Sequence, residues 1–110
     1  MKILLICFAV FVGQMGTLQD KQVVHLQPNR DFIGLEYGGD LLEVMNAPAV
    51  ITLPAIPPKL DSKGNPWSVE VKNLGPRAVS VVGKNQFSVP VSVGRTVQIL
   101  SNGAAYSLKR

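Results

Sequence analysis

Five short segments between residues 67 and 108 alternate apolar and polar residues, and turn-forming residues separate each segment from the next. Such alternation places one set of side chains on a buried face and the other in water, which is typical of half-buried strands. The inward row is predicted to include Val69, Val71, Val97 and Ile99. The pattern predicts an all-β fold, either a small antiparallel β-sandwich or a partly open barrel. The five predicted strands are residues 67–72, 78–82, 87–91, 96–100 and 104–108.

Turn signals between these strands favour a meander with short links. Asn102-Gly103 is the strongest hairpin signal, because both residues accept the left-handed backbone that a type I′ turn requires. Pro90 lies inside one predicted strand, and proline cannot donate a hydrogen bond to a ladder. That strand is therefore predicted to lie at a sheet edge or to contain a bulge.

The first half of the chain is also predicted to form strands, at residues 22–27, 32–37, 41–45 and 49–53. The glycines of Gly38-Gly39-Asp40 tolerate positive φ, so this cluster predicts a hairpin between the second and third of these strands. A helix over residues 40–46, capped by Asp40, is the alternative. The glycines before it and Pro48 after it leave little room for that helix.

An apolar leader occupies residues 1–16, in which Lys2 precedes about eleven apolar residues. It has the character of a secretory signal peptide, although Gly13-Gln-Met-Gly16 lacks a clean Ala-x-Ala cleavage site. The alternative is a retained apolar segment that is buried against another subunit. Residues 17–110 are predicted to form a single β-domain in either case.

Charge is distributed unevenly along this chain of net charge +4. Residues 1–58 contain three Lys or Arg against five Asp or Glu, whereas residues 59–110 contain eight against two. The basic residues fall mainly in turns and at strand ends, where they discourage edge-to-edge aggregation. They are not interleaved with aromatic residues, so no nucleic-acid partner is expected.

Candidate reactive residues are few. His25 is the sole histidine, and Cys7, the sole cysteine, lies in the apolar leader, so neither a Cys/His pair nor an ordinary zinc site is indicated. Four carboxylates lie close in sequence, and they are alternatively a hydrolytic pair, a cation site or the solvated face of a hairpin. The solvated face of a hairpin is the favoured interpretation. The sequence predicts a non-enzymatic protein without a cofactor. These carboxylates are Asp31, Glu36, Asp40 and Glu43.

The longest irregular segment is residues 54–66, which begins and ends with proline. Its centre is rich in turn-forming residues, so we expect an exposed loop on a rigid sheet, where contact sites are common. The residues of this possible contact loop are Lys59, Asp61, Ser62, Lys63 and Asn65.

Residues 49–108 contain a series of short motifs: Ile51-Thr-Leu-Pro54, residues 67–73 with Gly75, Val79-Ser-Val81, and residues 93–99 with Ser101-Asn-Gly103 and Tyr106. In this series the segment resembles small β-domains of bacteriophage virion appendages and tail fibres. The resemblance implies a compact sandwich that works as a structural or attachment module in a virion. The implied partners are other copies of the chain, neighbouring virion proteins and a host-surface glycan or protein. The alternative is a secreted or periplasmic domain that binds a protein or glycan after signal cleavage, located in the periplasm or outside the cell.

Overall fold

The computed structural model describes residues 22–109, which form a mostly β structure with two short 3₁₀ turns. The apolar leader, with Cys7, lies outside the described residues. One 3₁₀ turn is Leu35–Tyr37 and the other is Lys84–Gln86. The strands are β1 Val23–His25, β2 Leu41–Val44, β3 Val50–Thr52, β4 Ser68–Asn73, β5 Val79–Gly83, β6 Phe87–Val91, β7 Thr96–Ser101 and β8 Tyr106–Leu108.

These strands form two mixed sheets, and neither closes into a barrel. The larger sheet has the order β1-β2-β4-β7-β8 and the smaller has the order β3-β5-β6. β2 is parallel to both β1 and β4, and β3 is parallel to β5. The predicted all-β class is therefore confirmed, whereas the predicted antiparallel arrangement is wrong, because both sheets are mixed. Between β2 and β4 the chain crosses to the other sheet and returns, which brings the two strands together in the same direction.

The meander order is also wrong, because β4 pairs with β7 and not with β5. Between them, β5 and β6 form their own antiparallel pair in the smaller sheet. Strand positions in this half were nevertheless predicted to within about two residues, as is usual for strongly alternating segments. β6 lies at the edge of the smaller sheet, as Pro90 predicts.

The hairpin across Asn102-Gly103 is confirmed, since Ser101 pairs with Tyr106. Its turn is not type I′, because only the glycine has positive φ, at 92°. The Asn102 side chain explains the difference. Its Oδ1 accepts hydrogen bonds from the N–H groups of Ala104 at 2.8 Å and Ala105 at 2.9 Å, which closes a longer connection.

Two predictions fail between residues 31 and 40. Residues 32–37 do not form a strand: Phe32 makes an isolated parallel bridge to Thr52, and the following residues form the first 3₁₀ turn. Nor is Gly38-Gly39-Asp40 a hairpin connection, because β2 pairs with β1 and β4 instead. Gly39 does adopt positive φ, at 88°. A strand, and not the alternative helix, follows Asp40.

Inward side chains of both sheets form one hydrophobic cluster. Val69, Val71 and Ile99 are buried and Val97 packs partly buried against them, so the predicted inward row is confirmed. Trp67, only 1% exposed, is the largest fully buried side chain. Burial of this apolar area supplies most of the free energy that favours folding.

A buried polar residue joins the two sheets at one corner. Asn73, at the end of β4, is 1% exposed, and its Nδ2 donates to the carbonyl oxygens of Arg77 at 2.8 Å and Val91 at 2.9 Å. Its Oδ1 accepts a hydrogen bond from the Gly75 N–H at 2.8 Å. The buried amide is therefore satisfied, and it fixes the turn by which the chain leaves the larger sheet.

Candidate functional site

The predicted contact loop is an ordered turn built around Asp61. The Asp61 Oδ1 accepts hydrogen bonds from the backbone N–H groups of Lys63 at 2.9 Å and Asn65 at 3.0 Å. Two backbone bonds tighten the turn further, from Asp61 N to Asn65 O and from Gly64 N to Asp61 O. The carboxylate therefore shapes the loop, and the surface available to a partner comes from its neighbours. The exposed neighbours are Lys59, Ser62, Lys63 and Asn65.

Side chains of the larger sheet hold the base of this loop. The Tyr106 hydroxyl donates to the Pro54 carbonyl oxygen at 2.6 Å, and the Ser101 hydroxyl donates to the Pro58 carbonyl oxygen. The backbone N–H of Trp67 donates to the Lys59 carbonyl oxygen at 3.1 Å. The loop is thus fixed to the β7–β8 end of the sheet.

Two large apolar side chains of the same segment are exposed. Ile56 is 77% exposed, the largest fraction among the exposed large hydrophobic residues of the described part, and Leu60 is 54% exposed. The sequence pattern pointed to the polar residues of the loop and not to Ile56 and Leu60. Their exposure could have been predicted from the sequence, because each is an apolar residue among prolines and turn-forming residues and lies outside any alternating pattern that predicts burial.

Asp40 and Asp61 come near one another, although they are distant in sequence. A Cβ placed on Gly39 would lie 3.3 Å from the Asp61 Oδ2, and a Cβ on Gly38 would lie 2.9 Å from the Asp61 Cβ. Partial burial raises the pKa of Asp40 above its usual value, and Asp61 adds to the rise. The charge of Lys63 and the backbone N–H of Gln22 oppose it.

The remaining candidate reactive residues are dispersed. Glu43 lies on β2, and its Oε1 is 3.3 Å from the His25 Nε2 on the neighbouring strand. The His25 side chain is 72% exposed, so this is a solvated surface pair worth about 1 kcal/mol or less. Asp31 and Glu36 are exposed. Within residues 22–109 no three His, Cys, Asp or Glu side chains form a group that could hold a metal ion.

The outer edge of β1 is a second candidate surface, which the sequence analysis did not single out. β1 is the terminal strand of the larger sheet, and no strand within residues 22–109 pairs with its outer side. Val23 is 54% exposed. An edge of this kind offers backbone donors and acceptors to another chain. The base of the contact loop is held by β7 and β8, whereas its Asp61 turn lies near Asp40, next to the start of β2.

No helix in the described part of the chain is long and apolar enough to cross a membrane. Comparison of the chain with protein-family models, with curated proteins and with solved structures finds no match.

Proposed function

We propose that this protein is a non-enzymatic β-sandwich module of a bacteriophage virion, with a structural or attachment role. It assembles with copies of itself through its sheet edges and its N-terminal segment. The observation that carries the assembly is the open larger sheet, which ends at β1 with a half-exposed valine and an unpaired outer side within the described residues. The virion assignment is drawn from the resemblance of residues 49–108.

Self-assembly also suits the distribution of apolar surface. Eight large hydrophobic side chains in the described part are about half exposed or more. A small domain buries a limited fraction of its surface, and association with further copies removes more of it from water. Neighbouring virion proteins are the other partners proposed.

The test is the oligomeric state of the full chain, measured by sedimentation and light scattering across a range of concentrations. A homo-oligomer is expected. A monomer at every concentration up to that at which virion proteins assemble would contradict the proposal. Mass spectrometry of purified particles tests the location, and the chain is expected among the particle proteins.

A second candidate function is favoured by the loop of residues 54–66. Asp61 orders this loop before any partner binds, and it displays Ile56 and Leu60 beside exposed lysines. An ordered loop loses little entropy on binding, which suits recognition of a protein or glycan by a secreted or periplasmic domain. Export of a reporter fused to residues 1–20, together with a monomeric mature chain, would favour this function over assembly.

A further inference from the structure

We propose that two copies of the chain pair antiparallel through β1 across a two-fold axis at Val24, which joins their larger sheets into one continuous sheet. This inference rests on the proposed function, since it names the edge and the register by which copies assemble. The four edge strands of the two sheets differ in what covers them.

Three of the four edges are covered, blocked or flanked by charge. β3 is covered at its last residue by residues 31–33, since the Ile33 N–H donates to the Thr52 carbonyl oxygen and the Thr52 N–H donates to the Asp31 carbonyl oxygen. β6 contains Pro90, which has no N–H to offer a further strand. β8 is followed directly by exposed Lys109, a charge that discourages strand addition.

β1 contains no proline, and its flanking residues Gln22 and Leu26 carry no charge. No segment within residues 22–109 pairs with its outer side. Its outward backbone groups can be assigned from the bonds to β2. The Leu41 N–H donates to the Gln22 carbonyl oxygen, and the Leu26 N–H donates to the Glu43 carbonyl oxygen.

Alternate residues of a strand bond to the same parallel neighbour. Gln22, Val24 and Leu26 therefore bond towards β2, whereas Val23 and His25 direct their N–H and C=O groups to the free edge. With Val24 on the two-fold axis, Val23 of one copy and His25 of the other exchange reciprocal hydrogen bonds. Every outward backbone group of β1 then has a partner.

The side chains fit this register as well. Val23 and His25 lie on the outer face of the sheet, next to Leu41 and Glu43 respectively. In the pair, each His25 imidazole would lie between its own Glu43 and the Val23 of the other copy. No like charges face one another across the axis, and exposed Val23 becomes partly covered.

Proline at position 23 tests the edge in the full chain. Val23→Pro removes an N–H that points away from β2, so the fold is expected to remain intact while both copies lose an intermolecular bond. Self-association is expected to weaken at least about tenfold. Val23→Thr keeps the N–H and the β-branched shape, and it is the matched control. Val23→Lys, which places a charge on the edge, is expected to weaken association too.

Cysteine cross-linking tests the register, in a Cys7→Ser background. In an antiparallel pair, directly opposite residues without mutual hydrogen bonds have Cα atoms about 4.5 Å apart, a distance that a disulfide spans. Val24→Cys is expected to form a covalent dimer on oxidation. Val23→Cys is the matched control and is expected to remain monomeric under denaturing conditions, because its symmetry mate lies two positions away.

The outcomes separate this inference from the proposed function. If the full chain is oligomeric but Val23→Pro leaves association unchanged and Val24→Cys does not cross-link, the β1 pairing is wrong and assembly uses another surface. If Val23→Cys cross-links in place of Val24→Cys, the register is wrong. If the full chain is monomeric, both proposals fail.

Discussion

At its β8 end the larger sheet is tied to a neighbouring loop, whereas at its β1 end it presents an exposed strand. Tyr106 on β8 is 6% exposed, bonds the Pro54 carbonyl oxygen, and has its ring centroid 6.3 Å from that of Trp67 and 5.9 Å from that of Phe87. Val23 on β1 is 54% exposed. The same sheet thus has its hydrogen-bonded anchor at one end and an edge strand without a pairing strand within residues 22–109 at the other.

Substitutions at the β8 end are therefore expected to reduce stability. On the proposed β1 pairing, substitutions at the β1 end are expected to change association with little cost to the fold. Free energies of unfolding can separate the two behaviours, provided that exposed positions serve as controls. The substitutions that test this difference vary widely in their expected effect on the free energy of unfolding.

Trp67→Ala is expected to have the largest effect. It removes the largest buried side chain, its edge contact with Tyr106 and the hydrogen bond from Nε1 to the Leu35 carbonyl oxygen at 3.0 Å. A loss of about 3–5 kcal/mol is expected in the free energy of unfolding by urea. Leu60→Ala, at a side chain that is 54% exposed, is the control and should cost little. Equal losses of unfolding free energy in the two variants would contradict the inference that Trp67 anchors the core.

Tyr106→Phe is expected to cost about 1 kcal/mol at neutral pH, through the lost bond to Pro54. Burial raises the pKa of Tyr106 from 10.0 to about 12, so the folded chain holds this proton more tightly than the unfolded chain. The resulting stabilisation is complete below pH 10 and is lost as the pH rises towards 12.

The measurement is the free energy of unfolding between pH 9 and pH 12. Tyr106→Phe should remove part of the decline that the wild-type chain shows over this range. Tyr37→Phe provides the comparison at the other tyrosine of the sequence. A decline that is identical in the wild-type and Tyr106→Phe chains would mean that this phenol does not contribute to it.

Asp40→Asn is expected to have the smallest effect, and it probes the side of the sheet near β1. Partial burial raises the pKa of the Asp40 carboxyl in the folded chain. Its protonated form therefore stabilises the fold below the unfolded pKa of 3.8, and this stabilisation is lost as the pH rises through the higher folded value. The substitution should remove that acid-range decline and change stability at pH 7 by about 0.5 kcal/mol or less.

Acid titration of the free energy of unfolding checks this expectation. Asp31→Asn, at an exposed carboxylate of the same region, is the control. If Asp40→Asn makes the stability fall more steeply as the pH rises from 3 to 6, the direction inferred for the Asp40 pKa is wrong.

Sequence alternation located the strands of the second half because each strand there has one buried face. Val69, Val71 and Ile99 show this directly. Alternation carries no information on which strands are neighbours in a sheet. β4 was therefore predicted to lie beside β5, whereas in the structure it pairs with β7. That choice depends on how both sheets share one core, which is a property of the whole chain.

The region from residue 31 to residue 40 was harder to predict, because its apolar residues lie in different environments and make different contacts. Ile33 is buried in the core, Phe32 is half exposed with the Arg30 guanidinium 4.3 Å from its ring centroid, and Leu35 is exposed but supplies a carbonyl oxygen to Trp67. No regular period describes these roles. Turn formers located the irregular segment of residues 54–66, but the use of Asp61 to shape it required the structure.

Asn73 has a mechanical consequence. Its side chain, at the last residue of β4, bonds the carbonyl oxygen of Val91, the last residue of β6 in the other sheet. Dispersion contacts have little directional preference, whereas hydrogen bonds weaken steeply when they are bent. Shear between the two layers is therefore resisted at this corner.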